Sequence, residues 1–313
     1  MISKSKNQLT SREFTATLIR QVADSLVVHG APAISAYELA RYFFARDGLS
    51  TDQRSTIKTV FSDLCEELLH VRLLTPIEPL AETKGYLLFG KDNTSPAEIM
   101  CSLDPFAYVS HLSAMEYHGL TDRFPKILYM TRPASQQWRE QARVRMAKDL
   151  GDRFEQFINS GLPKLVQPKV LCFGPTYIQF CERSQLGAFR LVSGSRLKVA
   201  TVGRIFLEMI REPTYCGGMQ HVIDVYKREA SRYVNLIIDE VSQHGLAIDK
   251  VRAGFLLSEV CGLDHVVLAD WQKSAQRGGS RKLDPEGEYA SDYSERWKLS
   301  LNVPSVIKVA GGE

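Results

Sequence analysis

The chain has little of what would mark a membrane protein, a disulfide scaffold or a disordered tail. No apolar run approaches the roughly 20 residues that a bilayer-spanning helix needs, and Met1 to Thr10 is polar, without the hydrophobic stretch of a signal peptide. The six cysteines (Cys65, Cys101, Cys172, Cys181, Cys216 and Cys261) are scattered, with no C-x-x-C pair and no histidine at zinc-finger spacing. No structural zinc is expected, and unpaired thiols fit a reducing cytoplasm and a location away from membranes. Excess charge is scarce as well. Lys and Arg total 39 against 36 Asp and Glu, so any nucleic-acid surface must come from local clustering. There is no internal repeat and no low-complexity segment.

Catalytic signatures are missing too. The chain contains no G-x-x-x-x-G-K-[ST], G-x-S-x-G, H-E-x-x-H or G-x-G-x-x-G, so no catalytic residue, cofactor or metal is expected and the protein reads as a non-enzyme. Glu82-x-Lys84 is the one fragment a nuclease reading could use, and its place in a turn makes a salt-bridged turn the simpler account.

What is present is enough apolar material, 44% of residues, for a sizeable core in two or three domains. Phe14, Leu18, Ile19, Val22 and Leu26 recur at helical spacing until Gly30 and Pro32 stop them. A second helix is predicted from the N-cap Ser35 through Leu39, Ala40 and Phe43. A third starts near Ser50, with Gln53 completing a capping box, and carries Ile57, Val60, Phe61, Leu64 and Leu68 on one face. Leu73 to Ile77 and Tyr86 to Phe89 then read as a strand pair. Three helices followed by a hairpin is the order of a winged helix, whose third helix enters the major groove of duplex DNA. The outward face of that helix offers Arg54, Ser55, Lys58, Thr59 and Ser62, with Lys84 in the wing, all donors to phosphate or base edges. Residues 1–95 hold 11 basic and 11 acidic residues, so this surface is a local feature of a neutral domain.

The polar stretch Gly90 to Pro96 is a candidate linker, which gives a winged-helix domain over 1–92. Beyond it, Ser110 to His118 reads as a short helix with Ser110 as N-cap, and Ile127 to Thr131 as a strand. Trp138 to Phe157 is helical and basic, and residues 96–200 carry 14 Lys and Arg against 9 Asp and Glu, a composition that can extend a DNA footprint. Four β-rich segments between Val170 and Ala200 predict an antiparallel sheet. Helices follow at Val202 to Arg211, Met219 to His244 and Lys250 to Val260, then a final strand over Trp297 to Val303. The expectation is an α+β chain: 1–92, an α+β domain over 93–200, and a helical part over 201–313 packed on it. His111 and His118 lack a third ligand and read as packing or hydrogen-bonding residues. In the glycine-rich loop from Gln276, Arg277, Arg281 and Lys282 form a candidate anion or nucleic-acid site.

The block from Tyr108-Val-Ser-His-Leu-Ser-Ala-Met-Glu-Tyr-His-Gly-Leu120, through Tyr129-Met-Thr-Arg132, to Phe206-Leu-Glu-Met-Ile-Arg-Glu-Pro-Thr-Tyr-Cys-Gly-Gly218 resembles the AbiEi antitoxin family. Gly279 to Pro285 and Trp297 to Pro304 extend the resemblance to roughly residues 100–304. It implies an antitoxin and transcriptional regulator of a type IV toxin-antitoxin operon. Such a protein binds promoter repeats in double-stranded DNA, with self-association on the DNA, through its winged helix. Its C-terminal domain counteracts a nucleotidyltransferase toxin without a stable complex. The alternatives are a stand-alone regulator in a defence or mobile-element operon, and a nuclease.

Overall fold

The computed structural model describes residues 11–45, 54–78, 85–91, 93–276 and 281–306, with the backbone alone for 11–15 and 54–56. The chain is mixed α+β and folds as two compact units between which it passes several times. Met1–Ala107, Pro133–Pro175 and Ser193–Leu197 form the first; Tyr108–Arg132, Thr176–Val192 and Lys198–Glu313 form the second.

The chain opens with α1 (Ser11–His29), β1 (Ala33–Ser35), α2 (Ala36–Phe44), α3 (Arg54–His70), β2 (Leu74–Pro76), β3 (Gly85–Leu88) and α4 (Pro96–Leu103). Ser35 caps α2 as expected, its hydroxyl accepting from the amide of Glu38 at 3.2 Å. The three strands make an antiparallel sheet in the order β1-β3-β2, and β1 is a strand that sequence pattern did not announce. The expected linker is partly helix: Ser95 caps α4, and Pro96 sits in its first turn, where its missing N–H costs nothing.

After β4 (Tyr108–Val109), α5 (His111–Tyr117) and β5 (Ile127–Pro133), the chain returns to the first unit with α6 (Ser135–Leu150), α7 (Phe154–Ser160) and β6 (Cys172–Phe173). This differs from a domain closed at residue 92, and the reason lies in the core. Trp138, Ala142, Met146, Phe157, Leu162 and Leu165 belong to the same buried cluster as Leu18, Phe43, Leu64 and Leu68. The Trp138 ring N–H donates to buried Asp104 at 3.0 Å, Tyr37 donates to Asp149 at 3.1 Å, and Phe44 meets Phe157 edge to face at 5.2 Å. Helices α1 to α3 have more apolar surface than they cover among themselves, and α6 and α7 cover the rest.

The second unit continues with β7 (Thr176–Arg183), β8 (Phe189–Leu191), β9 (Lys198–Ala200), α8 (Val202–Arg211), α9 (Met219–His244), α10 (Ala247–Phe255), α11 (Val266–Gln272), β10 (Tyr293–Ser294) and β11 (Leu299–Ser300). Its sheet runs β7-β5-β4-β9-β8 and is mixed rather than antiparallel, because β4 and β9 pair in parallel through Val109 and Val199. Parallel neighbours need a long crossover, which the excursion through α6 and α7 supplies. Helix α8 packs so closely on α9 that a Cβ at Gly203 would lie 2.3 Å from the Leu236 carbonyl oxygen. The expected last strand is shorter than predicted: Leu299–Ser300 pairs with Tyr293–Ser294, while Trp297 is buried over Gly254 and donates to Ser258 at 3.0 Å. Among the described residues, no helix is long and apolar enough to cross a membrane.

Candidate nucleic-acid interface

Helix α3 buries Ile57, Phe61, Leu64 and Leu68, at the helical spacing that turns one face to the core. The opposite face is graded along its length. Lys58, Thr59 and Ser62 are exposed in its first half, and Asp63, Glu66, Glu67 and His70 in its second. Arg54 and Ser55 stand in the first turn; their side chains lie outside the described residues. The donors are therefore gathered at the end of the helix that carries the positive pole of the backbone dipole, and the acids at the other. Lys58 is also steered. The chain turns at Gly161 with φ +78°, and a Cβ there would lie 2.2 Å from Cε of Lys58, so the lysine stem rests on that glycine.

Helix α6 carries the basic face expected of it: Arg139, Arg143 and Lys148 are exposed, and Arg145 is held by Asp149 at 2.9 Å. The remaining expected donors divide. Lys84, Arg277 and the Glu82 of the nuclease fragment lie outside the described residues. Arg281 donates to the Ser274 carbonyl at 2.7 Å and Lys282 Nζ to the Gly287 carbonyl at 2.6 Å. Those bonds tie the loop to its own backbone.

A second constellation, in the other unit, was not legible as such. His111 is fully buried at the head of α5, with φ +50°, a left-handed conformation that a non-glycine residue adopts at a cost. Its amide donates to Glu208 Oε2 at 3.0 Å, its Nε2 lies 2.9 Å from Glu212 Oε2, and its Nδ1 lies 2.8 Å from Ser110 Oγ. Ser110 therefore engages the histidine ring and makes no cap bond to α5, contrary to the expected role. Glu208 also accepts from Arg204 Nε at 3.1 Å, Glu240 stands 3.5 Å from the same guanidinium, and Arg183 pairs with Glu212.

Burial by itself would lower the His111 pKa, but the Glu208 charge, with Cys181 and Glu212 adding to it, overcomes this and pushes it up to about 10. Glu212 moves the other way, to about 2: burial opposes the shift, and the bonds from His111 and Arg183 outweigh it. The ring is thus protonated at neutral pH and donates from both nitrogens. With Ser110 and His111 both at 0% exposure, the pair has no access to substrate and serves as a buried ionic clamp between α5 and α8. His118 likewise hydrogen-bonds, Nε2 to the Ala200 carbonyl at 2.9 Å. The available signal for this clamp was Arg204 and Glu208, a charged i,i+4 pair inside an otherwise apolar stretch.

No family model and no curated protein sequence matches the chain. Among solved structures it is similar to the crystal structure of RV2827C protein from Mycobacterium tuberculosis, at 14% identity and a TM-score of 0.49 over 95% of each chain.

Proposed function

We propose that the chain is a DNA-binding antitoxin and autoregulator of the AbiEi kind, with a winged helix in its first unit that holds promoter repeats. The observation that carries the DNA-binding half is connectivity joined to surface chemistry. Helix α3 lies between β1-α2 and a two-stranded hairpin, the sheet order is β1-β3-β2, and the exposed residues of the first half of α3 are Lys58, Thr59 and Ser62. The acids of the second half set the docking mode. Asp63, Glu66 and Glu67 repel phosphate, so α3 approaches the duplex with its N-terminal end, where Arg54 stands and the dipole attracts anions. The antitoxin half rests on the resemblance of the Tyr108 to Gly218 block. Chemistry on a substrate finds no support in the buried Ser110–His111 pair.

The test uses the full-length protein carrying Arg54→Ala with Lys58→Ala. A mobility shift on duplex containing the repeats upstream of the gene should disappear, while growth rescue from a neighbouring nucleotidyltransferase should persist. An unchanged shift removes α3 from the interface. Absence of rescue by the unaltered chain removes the antitoxin assignment and leaves a stand-alone regulator.

A further inference from the structure

We infer that a cleft in the second unit is a binding site for a small phosphate-bearing molecule. The cleft encloses about 360 Å³, the lower end of the range of ligand pockets. Three guanidinium groups, from Arg183, Arg204 and Arg211, share its wall with a single carboxylate, Glu212. The carboxylates that neutralise two of these arginines stand elsewhere. Glu208 and Glu240 pair with Arg204, Asp249 pairs with Arg211, and none of the three lines the cleft.

Each guanidinium has spent only part of its fork of donors. Arg211 gives Nε to Asp249 and Nη2 to the His244 carbonyl, Arg204 gives Nε to Glu208, and Arg183 gives Nη1 to the Glu182 carbonyl and Nη2 to Glu212. Nη1 of Arg211, Nη2 of Arg204 and Nε of Arg183 make no hydrogen bond among the described residues. Arg183 and Arg211 are the open donors, and Arg204, 2% exposed, adds its charge from the wall. Planar guanidinium forks of this kind match the several acceptor oxygens and the double charge of a phosphate better than they match one carboxylate.

The backbone is shaped to bring Arg204 there. A Cβ at Gly187 would lie 2.1 Å from Arg204 Nε and 2.3 Å from Cζ, so the guanidinium crosses that residue because it lacks a side chain. Leu186 and Leu246, the latter 66% exposed, add apolar surface to a lining that also holds Ser184, Gln185 and His244. A phosphate joined to a flat apolar body matches both the arginines and the leucines. Glu212 is the internal competitor, an anion already seated on Arg183, and it holds the affinity below that of an open arginine cluster. None of this depends on the DNA-binding reading.

The probe is phenyl phosphate, titrated calorimetrically into the full chain at constant ionic strength, with succinate as a carboxylate control. One saturable site is expected, with succinate at least tenfold weaker. Arg183→Gln removes a donor group, and Leu246→Trp fills the cleft from its lining without touching an ion pair. Each should weaken phenyl phosphate at least tenfold, and Leu246→Trp should do so with an unchanged thermal midpoint. No saturable binding, equal binding of succinate, or full affinity in Leu246→Trp overturns the proposal.

Discussion

In the first unit, the core that runs from Leu18 through Phe43 to Trp138 and Leu165 is built from apolar side chains, while Lys58, Thr59 and Ser62 of α3 stand in solvent. In the second, His111, Arg204, Glu208 and Glu240 are all buried and hold α5, α8 and α9 through charge. The first unit keeps the charges of α3 outside a largely apolar core in which Asp104 and His29 are buried exceptions, and the second builds a network of ion pairs into its frame. The difference teaches that the polar chemistry of the α3 surface is separable from folding in the first unit, while the polar chemistry at the centre of the second is part of folding. A surface donor on α3 can be removed with the fold intact. A member of the ionic clamp cannot, because its partners are left charged and out of water.

The largest effect that sharpens this contrast is expected from Glu208→Ala. It leaves the buried Arg204 guanidinium with Glu240 alone, at 3.5 Å, and the His111 amide without its acceptor, and should cost the second unit about 3–5 kcal/mol in urea unfolding. A loss below about 1 kcal/mol would erase the distinction between the units. In the first unit, Leu162→Ala should cost about 2–4 kcal/mol through the cavity it leaves, although residue 162 is distant in sequence from α1 to α3. A neutral result would restore a domain boundary near residue 92.

A more gradual change is expected with pH. The His111 pKa is raised from 6.5 to about 10, so its contribution is whole below pH 6.5 and is lost as pH climbs towards 10. The Glu212 pKa is lowered from 4.5 to about 2, so its contribution is whole above pH 4.5 and is lost as pH falls towards 2. The contribution of these two groups should therefore be flat between these limits, while His118 and His221, whose pKa values burial lowers, draw stability down below pH 6.5. His111→Gln should remove the loss between pH 6.5 and 9, where the buried thiols have not begun to titrate. A loss in that range that survives His111→Gln would assign the titration to another group. The smallest effect on folding is expected from Lys58→Ala, within about 0.5 kcal/mol, because this exposed side chain leaves the core untouched. A loss above 1 kcal/mol would make Lys58 a structural residue.

The sequence made much of the first unit legible because its signals are local. Apolar spacing marked α1, α2 and α3, Ser35 marked a cap, and the hairpin followed from two short apolar runs. The reach of its core was hidden, since Trp138, Ala142 and Met146 form a single narrow line on α6 among charged residues, and nothing local says what that line faces. In the second unit, α8 and α9 were read to the residue, because Pro213 and Gly245 end them sharply. The parallel pairing of Val109 with Val199 was not, since register between distant strands leaves no trace in either strand. The same limit hid the clamp and the arginine cleft: Arg183, Arg204 and Arg211 meet only once sheet and helices have assembled.

The central claim is that α3 offers its first half, and not its second, to duplex DNA. The direct measurement is the dependence of promoter-duplex affinity on salt concentration for the full-length protein and for Arg54→Ala with Lys58→Ala. Each phosphate contact contributes about 0.9 to the slope of log affinity against log salt, so the double variant is expected to lose about two contacts' worth. A slope identical in both proteins would contradict the account.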